Sequence, residues 1–398
     1  MVKPPRRPRT LCCAALSCLA AGCQPDAGEP PEFAERDSAG IRIVESAGDD
    51  GAYPRWQLAS APSLDLGGGP GAAHRFERIR GVARLSDGRI VVLDGASGEV
   101  HWFDGTGEPA ASRRVPGHSP GDLAALWLLG VLGADTVVVW DGGGARVTRF
   151  DGAGAVADTS TVAIDLPRFQ PWSIFPDGQI LATWRPDPAV PAPGEVVFDS
   201  TRLLVVDVGR GVTTPVRTTP GVWWWAGPGG PEAVPFTANA VFAIATADIL
   251  VASGPGWSIE RRDRGGIVRE RYVQDRPPAG VTRADIVAHR ERVARALRDP
   301  REAAARLRAM EGMPWPPVRP AWDRLLVDDG DAIWVRIEDP DPDADRHWTV
   351  FGPHGAIIGR LRTPVFLEIW QIGADFVIGT GRDEAANEHV WGYRLDRR

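Results

Sequence analysis

The sequence predicts an all-β fold, a six-bladed β-propeller, on the basis of three observations. The stretch DGRIVVLDGASGEVHWFDGTG at 87–107 returns at 134–154 as ADTVVVWDGGGARVTRFDGAG, with nine of 21 positions identical at an offset of 47. Gly and Pro, which supply turn geometry, number 46 and 36 among 398 residues. Trp, which packs well on pleated surfaces, occurs 16 times. A repeat of this length, built from short strands and tight turns, is typical of a propeller blade.

Each repeat is read as four antiparallel strands. In the first, the strands are FERIRGVARL, RIVVLD, EVHWFD and EPAASRRV, separated by Asp-Gly and other Gly-rich turns. The second repeat covers about 124–162, and more degraded repeats follow at 171–218, 236–273, 322–361 and 366–395. The alternative, a β-sandwich, would have fewer and less uniform hairpins.

Two departures from the repeat complete the predicted architecture. The last repeat has three convincing strands, so a strand from Gly40–Gly48 or from Trp56–Gly68 should complete it and close the ring. An Ala/Arg/Glu-rich segment at about 281–312 begins with Thr282 and Asp285 in a capping-box arrangement and is interrupted by Pro300. We expect a pair of short helices there, inserted between blades four and five on one face of the ring.

Residues 1–22 are predicted to be a bacterial lipoprotein signal peptide. Four Lys or Arg residues precede an apolar stretch too short to span a bilayer, and small residues then lead to Cys23, the predicted lipidation site. All four cysteines lie within residues 1–23, so a chain that begins at Cys23 has no disulfide partner. Cys18 is a competing site, and an ordinary secretory signal is the alternative.

The remaining chain is divided into a tether and a propeller. Residues 23–40 are polar and Pro-rich, which predicts a flexible tether, and 41–398 form the propeller. Gln24 favours the outer membrane over inner-membrane retention, so we expect a cell-envelope protein held by lipid, on the periplasmic or surface face. Removal of residues 1–22 leaves 41 basic and 52 acidic residues, a net charge of −11. Such a charge should repel the chain as a whole from phosphate backbones and from anionic lipid surfaces, which argues against nucleic acid as a partner.

Several longer phrases resemble a known family. RDSAGIRIVES, LSDGRIVVLDGASGEVHWFDGTGE, PAWDRLLVDDGDAIWVR and HWTVFGPHGAIIGRL are similar, in order and spacing, to six-bladed β-propeller lipoproteins related to NHL-repeat bacterial propellers. The likeness covers nearly all of 36–396, including the helical insertion. It implies a fold and a location in the envelope, and no particular reaction.

The sequence predicts no catalytic residue, no metal site and no cofactor. Propeller lactonases bind a divalent cation through Glu, Asp and several Asn oxygens, whereas this chain has two asparagines, Asn239 and Asn387. The acidic run EDPDPDADRH at 338–347 lacks the Gly and the distal Glu of a calcium loop, so a solvated hairpin tip is the better interpretation. The seven histidines show no metal-ligand spacing, and His101 is expected to pack across strands.

Three consecutive tryptophans, Trp223, Trp224 and Trp225, are the candidate binding residues. Because alternate residues of a strand point to opposite faces, at least one should point outward, where an aromatic ring can stack on a sugar or anchor a partner. The alternative is that they pack against the neighbouring blade and the helical insertion.

We therefore expect a monomeric, lipid-anchored propeller that binds or scaffolds a protein or glycan partner. The alternatives are a hydrolase or lyase with its site at the channel mouth, and a sensor of a small ligand. A propeller enzyme requires a convergent polar cluster in the channel. A channel lined mainly by apolar or Arg side chains would therefore argue against catalysis.

Overall fold

The computed structural model describes most of the chain after residue 32. The described residues are 33–48, 51, 53–68, 74–117, 126–162, 166, 168–186, 191–237, 240–339 and 341–398. The predicted signal peptide, Cys23 and the tether as far as residue 32 lie outside them. The described chain is mainly β, as predicted, with two short α-helices.

Four strands precede six groups of strands, and the groups follow chain order. The preceding strands are β1 (Phe33–Ser38), β2 (Ile41–Ala47), β3 (Arg55–Leu58) and β4 (Leu64–Gly67). Group 1 contains β5 (Ile79–Arg84), β6 (Ile90–Asp94), β7 (Glu99–Phe103) and β8 (Pro109–Arg114). Group 2 contains β9 (Leu126–Leu132), β10 (Thr136–Asp141), β11 (Arg146–Phe150) and β12 (Val156–Thr161). Group 3 contains β13 (Gln170–Ile174), β14 (Ile180–Trp184), β15 (Val196–Asp207), β16 (Val212–Gly227) and β17 (Gly230–Ala233).

The second half of the chain continues the series. Group 4 contains β18 (Val241–Ala245), β19 (Asp248–Ala252), β20 (Ser258–Arg262) and β21 (Val268–Asp275). The helices α1 (Arg283–Ala296) and α2 (Pro300–Ala309) follow it. Group 5 contains β22 (Trp322–Val327), β23 (Ile333–Ile337), β24 (Arg346–Phe351) and β25 (Ile357–Thr363). Group 6 contains β26 (Glu368–Ile372), β27 (Phe376–Arg382) and β28 (Glu388–Asp396).

The N-terminal strands add to sheets formed later in the chain. Within every group, strands adjacent in sequence pair antiparallel. Strand β4 pairs antiparallel with β28, which places Leu66 opposite Val390, and β3 lies between β25 and β28. Strand β2 pairs parallel with β21 instead. Of the two segments predicted to complete the last repeat, Trp56–Gly68 therefore pairs with it, and Gly40–Gly48 extends group 4.

The predicted tether extends too far into the folded chain. Residues 33–38, assigned to it from the sequence, form β1 and pair antiparallel with β2. The pairing is supported by ion pairs across the two strands, Arg36 to Glu45 at 2.8 Å and Arg42 to Glu35 at 2.6 Å. All six side chains of β1 are exposed, so no apolar alternation signals the strand.

The repeated Asp-Gly-x-Gly phrase forms the same hairpin turn in both copies. In the first copy the Gly107 amide donates to the Asp104 carbonyl at 3.1 Å, and in the second the Gly154 amide donates to the Asp151 carbonyl at 2.9 Å. Both terminal glycines have φ values in the left-handed region, +99° and +85°. The phrase recurs because this turn needs a glycine at its last position.

The helical insertion forms where it was predicted. The capping box is confirmed, since the Thr282 hydroxyl accepts from the Asp285 amide and the Asp285 carboxylate accepts from the Thr282 amide. Asp299 caps α2, whose first residue is Pro300. Both helices lie within 281–312, between groups 4 and 5.

Within the residues that the structure describes, neither helix combines the length and the hydropathy required to cross a bilayer.

The core consists of clusters shared between successive groups. Six hydrophobic clusters of described residues lie between groups 1 and 2, 2 and 3, 3 and 4, 4 and 5, 5 and 6, and 6 and 1. In the last of these, Val390 and Ile378 of group 6 pack with Val92 and Phe103 of group 1. Each group therefore packs on the next in chain order, and the last packs on the first.

Candidate functional site

The innermost strands of all six groups line one cavity of about 530 Å³. Its walls come from β5, β9, β13, β18, β22 and β26, which are the first strands of their groups. A volume of this size lies within the range of small-molecule pockets. The cavity is therefore the main candidate for a binding site among the described residues.

Most of the cavity wall is apolar, with aromatic rings supplied by four different strands. Trp127 of β9, Trp172 of β13, Phe242 of β18 and Trp370 of β26 all line it. Trp172 has 49% of its surface exposed, and its ring meets that of Phe242 edge-on at 6.4 Å. Large accessible apolar rings inside a concave site are typical of ligand pockets and unusual elsewhere.

Two of the tryptophans are positioned by the same local structure. The pairing register shifts beside Trp172 in β13 and beside Trp370 in β26, so each occupies a β-bulge that redirects its side chain. Each indole then donates from Nε1 to a threonine hydroxyl on the next strand, Thr183 and Thr380 respectively, at 2.9 Å in both cases. The hydrogen bonds fix the ring orientations, so binding a ligand would cost little side-chain ordering.

The charged side chains that line the cavity, Asp323 and Arg324, both belong to β22 and pair with two residues outside its lining, Arg336 and Glu368. Asp323 accepts from Arg336 at 2.7 Å, and Arg336 also donates to Glu368 at 2.8 Å. Glu368 in turn pairs with Arg324, which donates to the Ile369 carbonyl at 2.7 Å. The two arginines and two carboxylates thus neutralise one another.

Burial perturbs the titration of this charged cluster. Asp323 is one third exposed to the cavity yet walled by protein, and this loss of bulk solvent raises the pKa of its carboxyl despite the bond to Arg336. Burial likewise lowers the pKa of Arg324, although Glu368 opposes the shift. A raised carboxyl pKa is compatible with proton transfer, but each of these groups is already engaged by another.

The predicted aromatic candidates lie away from the cavity. Trp225 is 5% exposed and packs with Met310 and Met313 beneath the helices, while Trp223 and Trp224 are half-buried. Trp225 and, in part, Trp223 are therefore in packing contacts, which is the alternative raised from the sequence. A direct part in binding a partner stays a prediction.

Within the described residues, the acidic run and the histidines considered in the sequence analysis are not arranged to hold a metal ion. No group of three or more His, Cys, Asp or Glu side chains there is arranged to hold a metal ion. In the acidic run, Asp339 and Asp341 accept from the backbone amides two residues further on, as in an ordinary polar turn. His101 is 6% exposed and packs against His74 with ring centroids 4.2 Å apart.

Comparisons with known proteins give remote structural similarities. No protein-family model and no curated protein sequence matches this chain. Among solved structures, a member of the DUF4221 family from Bacteroides vulgatus has a TM-score of 0.46 at 8% identity, over 86% of this chain and 98% of that one. Virginiamycin B lyase from Staphylococcus aureus has a TM-score of 0.41 at 10% identity, over 86% and 99%. A gluconolactonase from Xanthomonas campestris has a TM-score of 0.41 at 14% identity, over 86% and 98%.

The sequence reasoning missed the cavity aromatics because they are far apart in the chain. Trp172 and Trp370 stand nearly 200 residues apart, each in a short phrase, PWSIFPDG and EIWQIGAD. A signal was available in these phrases, since both place a Trp in the first strand of a repeat. Recognising it required knowledge of which strand of each repeat is innermost.

Proposed function

We propose that the chain is a closed six-bladed β-propeller that binds a small ligand in its central channel. Each of the six groups is one blade, and β4 completes the sixth by pairing with β28. Two further contacts support closure between the sixth and first blades. The Ile79 amide donates to the Glu388 carboxylate at 2.6 Å, and the Arg84 amide donates to the Gln371 side chain at 2.7 Å.

The channel aromatics are the observation that carries the binding proposal. The fixed indoles of Trp172 and Trp370, together with Trp127 and Phe242, surround a volume that suits a planar apolar body. Binding at such a site is driven by burial of apolar surface and by ring stacking, which require no reaction. The small-ligand alternative raised from the sequence is therefore favoured over a protein or glycan partner.

The same wall argues against the hydrolase or lyase alternative. A channel enzyme needs polar groups that converge on a substrate. The two charged side chains that line this cavity, Asp323 and Arg324, are instead engaged by Arg336 and Glu368. The rest of the wall is mainly apolar. Catalysis would require this cluster to open.

The proposed location is the cell envelope, through lipidation of Cys23. The supporting observations are the basic start, the apolar stretch and the small residues before that cysteine. Replacing Cys23 with Ser should release the protein into the soluble fraction and remove the mass of the attached acyl chains. Unchanged fractionation would contradict the anchor.

Ligand binding is tested with a fluorescent probe. Every described helix and strand lies within Phe33–Asp396, so a chain that begins at residue 24 contains the whole described fold. It is titrated with N-phenyl-1-naphthylamine, a planar apolar molecule whose emission rises on leaving water. We expect saturable binding that Trp172→Ala and Trp370→Ala each weaken by about tenfold, the loss expected for a ring at the centre of a site.

The matched control is Phe198→Ala. It removes an exposed ring of group 3 that does not line the cavity, and should leave binding unchanged. Binding that is not saturable, or that all three variants affect equally, would contradict the channel site.

A further inference from the structure

We propose that the face of the protein carrying α1 and α2 docks on an anionic lipid surface. The inference rests on the proposed anchor at Cys23 and goes beyond the channel site. Three observations converge on it: where the tether enters the fold, where unpaired arginines lie, and where apolar side chains are exposed.

The tether enters the fold beside the helices. Phe33, the first described residue, lies opposite Ser46 of β2, and Ser46 lies opposite Gln274 of β21. Phe33 is therefore two interstrand spacings, about 10 Å, from Gln274. Strand β21 ends at the next residue, Asp275, and Thr282, the N-cap of α1, follows after a short connection. The start of β1 and the end of β21, from which the chain continues to the helical insertion, therefore lie at the same end of the strands of the group 4 sheet.

A short tether would keep this end of the group 4 strands close to the membrane. Nine residues, 24–32, separate the proposed lipidation site Cys23 from Phe33. The ten peptide steps from Cys23 to Phe33 span at most about 35 Å even when fully extended. A lipid on Cys23 thus holds the helical face within reach of the headgroups.

The helical insertion is the basic part of an acidic protein. Residues 282–312 contain eight Arg and five Asp or Glu, a net charge of +3, whereas the chain from Cys23 onward carries −11. Five of these arginines are exposed and form no ion pair within the described structure: Arg283, Arg295, Arg298, Arg301 and Arg308. Arginines near an anionic surface are attracted to it, each by a modest amount that adds to the others.

Exposed apolar side chains accompany these arginines. Phe198 is 64% exposed, the largest value among the described large apolar residues, and meets Trp223 edge-on at 4.9 Å. The β15–β16 arm that carries it packs against the end of α2 through Trp225 and Met310. Phe33 and Val287 are also close to half exposed. Aromatic and apolar groups flanked by Arg are typical of surfaces that insert into a lipid interface.

The same hairpin offers a matched control site at its opposite end. Val212 pairs with Asp207 where β15 and β16 meet, whereas Phe198 lies near the other end of β15. Val212 is 52% exposed and the neighbouring Arg210 side chain is 81% exposed. Val212 is an exposed apolar residue and Arg210 an exposed basic one that pairs with Asp207 at 3.5 Å, and both lie on the far face.

The test measures which face meets the lipid. The chain from residue 24 has no cysteine, so Phe198→Cys and Val212→Cys each accept one nitrobenzoxadiazole label. A hexahistidine tag replaces Cys23 and holds the protein on vesicles through a nickel-chelating lipid. On phosphatidylethanolamine vesicles that contain phosphatidylglycerol, we expect emission from position 198 to rise at least about twofold, with a blue shift. Emission from position 212 should not change.

Charge variants then distinguish docking of the helical face from mere closeness to the vesicle, which the nickel-chelating lipid imposes. Arg298→Glu combined with Arg308→Glu should abolish the rise at position 198, and Arg210→Glu should leave it intact. Circular dichroism and binding of N-phenyl-1-naphthylamine in the channel show whether each variant is folded. Neither measurement depends on docking to lipid, so a failure of the channel site and a failure of docking are distinguishable. An unresponsive label at 198, equal responses at 198 and 212, or insensitivity to the helix charges would each overturn the proposal. The first of these would leave the face free for a protein partner.

Discussion

Acidification should destabilise the protein through the buried His101 of group 1 and the half-buried His74 that packs against it. His101 on β7 has 8% of its side chain exposed and packs against His74, with Phe76 and Phe103 beside it. Burial, and then the neighbouring His74, lower the pKa of His101 from its ordinary 6.5 to about 4. Burial also lowers the pKa of His74. Neutral imidazoles are therefore part of the folded core.

The size of the effect follows from linkage. Because the folded pKa is below the unfolded one, the unfolded state binds the proton more readily as the pH falls through 6.5. The full stability is present above that pH and is lost progressively towards the folded pKa of about 4. Between about pH 7.5 and pH 5, His101 alone accounts for a loss of about 2 kcal/mol in the free energy of unfolding.

Urea unfolding at the two pH values measures this loss, with His101→Phe as the comparison. Among the described residues, the His101 Nε2 atom has no hydrogen-bond partner. Phe keeps an aromatic ring, so the substitution mainly removes the titration. The wild-type protein should lose about 2 kcal/mol more than the variant between the two pH values. An equal loss in both proteins would refute the assignment of a buried neutral histidine.

Two further predictions test contacts between neighbouring groups. Gly355→Ala should cost more than about 3 kcal/mol, because φ is +88° and a Cβ there would lie 2.1 Å from the ring of Tyr272 in group 4. Gly40→Ala, with φ of +79° and no atom within 4 Å of the added Cβ, should cost only about 1 kcal/mol, and chemical denaturation distinguishes the two. Asp328 accepts from Arg397 at 2.9 Å, so Asp328→Asn and Arg397→Met should show a coupling of about 1–2 kcal/mol in a double-mutant cycle. Additive losses would show that the C-terminus is not held there.

The repeats made most of the sheet architecture predictable. RIVVLD is a β-branched run, and its strand β6 is buried at all five positions. The strand therefore appears in the sequence as a continuous apolar segment. The capping box at Thr282 was equally visible, because it depends on two side chains three residues apart. Elements whose cause lies in neighbouring residues, such as β6 and the N-terminus of α1, could therefore be predicted directly from the sequence.

Features that depend on distant partners could not be read in this way. Strand β1 consists of exposed side chains, and its reason to form is the partner strand β2 with its opposing charges. The three consecutive tryptophans form a conspicuous group in the sequence, yet Trp225 is buried against Met310 and Met313, which lie more than 80 residues later in the chain. Trp172 and Trp370 reach the same cavity because the groups pack in order, which no window of the sequence reveals.

A disulfide between β4 and β28 tests the closed ring most directly. A Cβ added at Gly392 would lie 3.1 Å from the Cβ of Leu64, a few tenths of an ångström inside the usual disulfide separation of about 3.5–4.5 Å. The chain from residue 24 contains no other cysteine, so Leu64→Cys/Gly392→Cys has one possible intramolecular bond. A closed ring predicts complete oxidation within the monomer, with loss of two hydrogens by mass, and a higher unfolding temperature. Two free thiols, or disulfides only between molecules, in protein that is folded and oxidised would contradict closure by the N-terminal strand.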